Sequence, residues 1–124
     1  MKKRINVIYL GSIEGFEATC EVLNDHANVV NVAPNTADLL KHIVSADAIL
    51  DASMKTKISN NMLNKANNLK IISCATTGSD HISNESLLNK NILLKTLKED
   101  GDLIKNIKPA AELSWTLLMA CARK

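Results

Sequence analysis

Two short runs carry residue types suited to holding a small anion. Thr76-Thr77-Gly78-Ser79 follows the apolar stretch Leu69 to Ala75, and Ala52-Ser53-Met54 follows Asp47 to Asp51. A turn of the first composition offers successive main-chain N–H groups. Gly78 would let a ligand approach the backbone closely or adopt a positive φ, so a carboxylate would fit there. The same residues also suit a plain turn, in which Gly78 merely permits the bend and Ser79 or Asp80 caps the helical turn that follows. By spacing alone the plain turn is the simpler account, and Ser53-Met54 carries the same ambiguity.

Other chemistry-bearing residues are less suggestive. His81 beside Asp80 has the make-up of an acid/base pair, but adjacent side chains in a turn point apart, so no catalytic role is assigned to it. His26 and His42 fall in amphipathic surface positions and cannot form a metal set with the distant cysteines. Cys20, Cys74 and Cys121 are odd in number, far apart and set in apolar contexts, which suits reduced, buried thiols. Gly11-Ser-Ile-Glu-Gly15 lacks the third glycine and the spacing of the dinucleotide fingerprint, so the chain alone is not expected to bind NAD.

The elements that must position these groups follow from periodicity. Ile5 to Leu10 is a β-branched run closed by Gly11-Ser12, and Ile13, Phe16, Cys20 and Leu23 then recur at helical intervals. Asn28 to Val32 reads as a second strand. Asn35-Thr36 can cap a helix whose buried side is Ala37, Leu39, Leu40 and Ile43. Asp47 to Asp51 is a third strand, followed by a helix over 59–67. Leu69 to Ala75 is the fourth strand, a short helix surrounds 85–88, and Asn91 to Lys95 is the fifth. Five strands alternating with helices predict a parallel sheet in a flavodoxin-like three-layer α/β/α fold, in the order 2-1-3-4-5. The charged stretch 97–108 reads as a surface connection to a terminal apolar helix.

Ligands of open α/β sheets gather at the carboxyl ends of the strands, where both candidate runs lie. Asp51 and Lys95 end the third and fifth strands, which also suits a phosphorylation-controlled receiver domain. A receiver needs further acidic residues after its first strand to hold Mg²⁺, and Gly11-Ser12 supplies none.

The chain's 124 residues match one domain, 46% apolar but only 2% aromatic, so the core should be Leu, Ile, Val and Ala. A net charge of +2, without a basic run or interleaved aromatics, argues against a nucleic-acid partner. Met1-Lys-Lys-Arg resembles an export signal, but its apolar stretch stops at Leu10. With no membrane span either, the expectation is a cytoplasmic protein.

Taken together, three segments resemble the D-isomer-specific 2-hydroxyacid dehydrogenases, which include formate, glycerate, phosphoglycerate and D-lactate dehydrogenases. Leu69-Lys-Ile-Ile-Ser-Cys-Ala-Thr-Thr-Gly-Ser-Asp-His-Ile82 is similar to the family's strand, small residues and Gly-x-Asp-x-Ile. Asn89-Lys-Asn-Ile-Leu-Leu94 is similar to its next strand. Ala111-Glu-Leu-Ser-Trp-Thr-Leu-Leu-Met-Ala-Cys-Ala-Arg-Lys124 resembles the helix by which the family's chain crosses from substrate domain to nucleotide domain. The resemblance implies that N–H groups near Thr77 and Gly78, within Thr76 to Ser79, bind the carboxylate of a 2-hydroxy or 2-oxo acid, with Ser53-Met54 closing the other side. It further implies that 1–108 is a substrate-binding segment and 109–124 the crossover helix. The catalytic Arg, acid and His, and the NAD site, would then lie beyond Lys124, leaving this chain inactive by itself. Family members often have a polar residue two positions before the Glu of that helix; Ala110 stands here, so no cofactor contact is carried to it. A stand-alone ligand-binding or interaction module descended from such an enzyme is the remaining alternative.

The terminal helix, with Leu113, Trp115, Leu117, Leu118 and Met119, is apolar on nearly every face and must be covered. A homodimer, or exchange of this helix between copies, is therefore expected.

Overall fold

A computed structural model describes residues 3–106 and 109–122. Strands β1 (Ile5–Leu10), β2 (Ala27–Asn31), β3 (Ala48–Asp51), β4 (Ile71–Cys74) and β5 (Leu93–Thr96) form one parallel sheet in the order β2-β1-β3-β4-β5. Helices α1 (Ile13–Leu23), α2 (Thr36–Ile43), α3 (Asn60–Lys65), α4 (Asn84–Asn89), α5 (Gly101–Asn106) and α6 (Pro109–Ala122) alternate with and follow the strands. Polar caps start the first three: Ser12 Oγ accepts from Gly15 N, Asn35 Oδ1 from Asp38 N and Ser59 Oγ from Met62 N. The predicted strand order and helix alternation are therefore observed.

Strand periodicity divides the sheet into two unlike faces. Ile8, Leu10, Ile49, Ile72 and Cys74 share one face and form the core with Leu39 and Ile43 of α2, Met62 and Leu63 of α3, and Leu87 of α4. Each such aliphatic side chain contributes about 1.5–3 kcal/mol by leaving water. Val7, Tyr9, Leu50 and Ser73 lie on the other face, where α1 packs at the β1–β2 side. Tyr9 meets Phe16 of α1 with ring centroids 6.2 Å apart, whereas Leu93 of β5 remains 51% exposed.

Several local expectations change. The stretch 97–108 is not a plain connection, because Leu97–Glu99 forms a 3-10 turn and Gly101–Asn106 a helix. Thr96 Oγ1 accepts from Lys98 N, and ion pairs Lys95–Glu99 and Lys105–Asp102 span one turn each. Residues 107 and 108, where the predicted segment boundary falls, lie outside the described residues. Neither Ser79 nor Asp80 caps α4; Ser83 holds the cap position and turns its hydroxyl to Asn60. Ala37, predicted on a buried face, is exposed, and so is Ile13 at the start of α1. So are Leu113, Trp115, Leu117 and Leu118 of α6.

Candidate functional site

Asp51 is the last residue of β3, and alternation with Ile49 turns its side chain onto the core face, where it is wholly buried. A carboxylate in such a place must find donors. Oδ1 accepts from Ser53 N at 2.9 Å, Ser53 Oγ at 3.0 Å and Met54 N at 3.1 Å. Oδ2 lies 2.7 Å from His81 Nε2. A carboxylate only accepts, so Nε2 carries the shared proton. His81 Nδ1 is buried with no partner among the described residues.

Around this carboxylate stand the two candidate loops. Ser53 and Met54 follow β3, and Met54 takes a left-handed backbone at φ 55°. Thr76, Thr77, Gly78 and Ser79 follow β4. Thr76 Oγ1 donates to the Gly78 carbonyl at 3.0 Å, Thr76 O accepts from Leu97 N at 3.0 Å, and Ser79 O from Ile82 N at 3.0 Å. The main-chain N–H groups of Thr77, Gly78 and Ser79 have no protein acceptor among the described residues. Thr77 is exposed, while Gly78 and Ser79 are half-buried. The loops face each other, since a Cβ on Gly78 would stand 3.4 Å from Met54 Cε. Gly78 thus serves close approach and not a positive φ; the left-handed residue is Met54.

Ser53 also reaches a cleft of about 300 Å³ lined by Gly11, Ser12, Pro34, Ala52 and Lys55. It opens between the carboxyl ends of β1 and β3, where the sheet's winding reverses. The turn after β1 packs its two glycines against a side chain of the sheet. Tyr9 occupies the side on which a Cβ would stand, with its Oη 1.9 Å from that position at Gly15.

The receiver alternative loses its geometry here. Asp51 is saturated with internal donors, and Lys95 is exposed and paired with Glu99 at 2.6 Å. Cys74, next to Asp51 in the sheet register, is held as a thiol. Burial, and then the charge of Asp51, push it up to about 11. Cys20 is half-buried and Cys121 exposed, so only Cys74 is the buried thiol expected of all three. No group of three metal-ligating side chains occurs among the described residues, and none of their helices is long and apolar enough to cross a membrane.

An open parallel sheet with polar loops gathered at its carboxyl edge is the architecture of an α/β dehydrogenase domain. A sequence model of the D-isomer specific 2-hydroxyacid dehydrogenase catalytic domain matches residues 8–98, and the chain belongs to that family. Among solved structures, it is similar to the PH0520 protein of Pyrococcus horikoshii at 27% identity and a TM-score of 0.67, over 76% of this chain and 28% of that one. It also resembles NAD+-bound 3-phosphoglycerate dehydrogenase of Entamoeba histolytica at 20% identity and a TM-score of 0.68, over 76% and 33% of the two chains. A third likeness is to D-lactate dehydrogenase of Aquifex aeolicus, solved with NAD and lactic acid, at 22% identity and a TM-score of 0.64 over 73% and 27%. The chain therefore spans a third or less of the length of these structures. No curated protein sequence matches it significantly.

Proposed function

We propose that this chain is the substrate-binding part of an NAD-dependent oxidoreductase acting on a D-2-hydroxy acid or its 2-oxo acid. The observation that carries this reading is the unengaged N–H array of Thr77, Gly78 and Ser79 at the end of β4, facing Met54 within the family-matched segment. Successive N–H groups bind a carboxylate through charge-assisted hydrogen bonds, and Ser53 and Met54 would close the opposite side. NAD supplies hydride transfer when bound. Since Gly11-Ser-Ile-Glu-Gly15 lacks the dinucleotide fingerprint, that cofactor would be held by a nucleotide-binding domain other than this one, and the chain alone should be inactive. The exposed apolar residues of α6 would be covered by that domain or by the second copy of a homodimer.

The test is a titration of the isotope-labelled chain with glyoxylate, with chloride as a control, followed by amide resonances. Saturable shifts centred on Thr77, Gly78 and Ser79 are expected, with no NADH oxidation by the chain alone. Saturation elsewhere, or none, would overturn the assignment of the site.

A further inference from the structure

One buried carboxylate links the two loops of the candidate site. Oδ1 of Asp51 accepts from three donors of the Ser53-Met54 loop, and Oδ2 meets His81, which stands three residues after Gly78. His81 is itself tied down. Its carbonyl accepts from Ile58 N at 2.8 Å, Ser83 N donates to Ile58 O at 2.9 Å, and Ile58 and Ile82 form a parallel bridge. Met54 has no intrinsic preference for φ 55°. In that conformation the N–H groups of Ser53 and Met54 both reach Asp51 Oδ1, and Met54 Cε stands against Gly78.

We propose that Asp51 and His81 form a latch that positions the Met54 loop against the Thr77-Gly78 turn and thereby sets the width of the substrate site. The proposal rests on the carboxylate reading above. Neither residue is a catalytic one: Asp51 is wholly buried and, as an anion, would repel the substrate carboxylate, so it acts through the loops it holds. Without the His81 donor, Oδ2 is left unpaired in the core, a penalty that a turn of the carboxylate toward water would relieve. Such a turn would loosen Oδ1 from Ser53 and Met54 together. The latch therefore predicts that a change at His81 is felt at Met54, in the other loop.

Three forms of the isotope-labelled chain separate the possibilities: wild type, His81→Leu, and His81→Gln, whose side-chain amide can again offer an N–H to Asp51. In the ligand-free wild type, the His81 ring should show a slowly exchanging Nε2–H and the Met54 HN–Hα coupling should report the left-handed backbone. In His81→Leu the Met54 coupling should move to the extended range, and glyoxylate binding should weaken about tenfold or more. His81→Gln should restore both. An unchanged Met54 coupling in His81→Leu, or glyoxylate binding equal to wild type, would overturn the latch. Should His81→Leu fail to fold, a fast-exchanging ring N–H in the wild type would overturn it. Absence of glyoxylate binding to wild type sinks the carboxylate reading, while the Met54 coupling still judges the latch.

Discussion

Tyr9 explains two glycines that sequence reading could only describe by what they lack. Its phenol lies under the start of α1, with Oη 2.5 Å from a Gly11 Cβ position and 1.9 Å from that of Gly15. Gly15→Ala gains about 1 kcal/mol of helix propensity. It also drives a methyl into a ring that is 3% exposed and cannot swing away, and such overpacking costs about 1–3 kcal/mol. At this separation the clash wins, so thermal unfolding should occur at lower temperature, and adding Tyr9→Phe should recover part of the loss. A Gly15→Ala protein as stable as wild type would show that the ring moves freely. Legibility was uneven at this scale. Small residues at strand ends made Ser53, Met54 and Thr76 to Ser79 readable as a candidate site. His81, by contrast, has Asp80 for a neighbour in the sequence, although its partner Asp51 stands 30 residues earlier. The available signal was the alternation of β3, which sends Asp51 inward beside Ile49 and so demands a distant donor.

Among the elements, α3 and α4 are joined by polar groups as well as by the core. Asn60 Oδ1 accepts from Ser86 Oγ at 2.7 Å, from Ser86 N at 3.3 Å and from Ser83 Oγ, while its Nδ2 donates to Glu85 at 3.0 Å. Lys90, just past α4, adds bonds to the carbonyls of Leu63, Asn64 and Ala66 at the end of α3. Asn60→Ala leaves the buried Ser86 hydroxyl without its acceptor, which should cost about 1–3 kcal/mol. The denaturant midpoint should fall with an unchanged slope; an unchanged midpoint would mean that Ser86 finds another acceptor. Strands and helices were legible from their apolar period, which cap chemistry reinforces at Asn35. The helix Gly101–Asn106 was not, since its charged residues carry no apolar stripe and Gly101 reads as a breaker.

For the molecule as a whole, the unlike faces of the sheet are the dominant fact. One face is sealed by α2, α3 and α4; the other has α1 over β1 and β2, an exposed Leu93 and, elsewhere on the surface, α6 with Leu113, Leu117 and Leu118 each about 60% exposed. Apolar surface of this kind marks association sites. Light scattering on the chain should give a dimer at micromolar concentration, and disruption on Leu113→Lys with Leu117→Lys. A concentration-independent monomer with a water-shielded Trp115 would contradict this, because α6 would then have found cover within its own chain.

The chain's single tryptophan and single tyrosine lie at opposite extremes of this arrangement, Trp115 64% exposed on α6 and Tyr9 3% exposed in β1. Indole emission therefore reports whether α6 is covered, and phenol absorbance whether the sheet is intact. Two optical melting curves that coincide would mean that helix and sheet are lost as one cooperative unit. Curves that separate would measure the docking of α6 apart from the fold that carries the site.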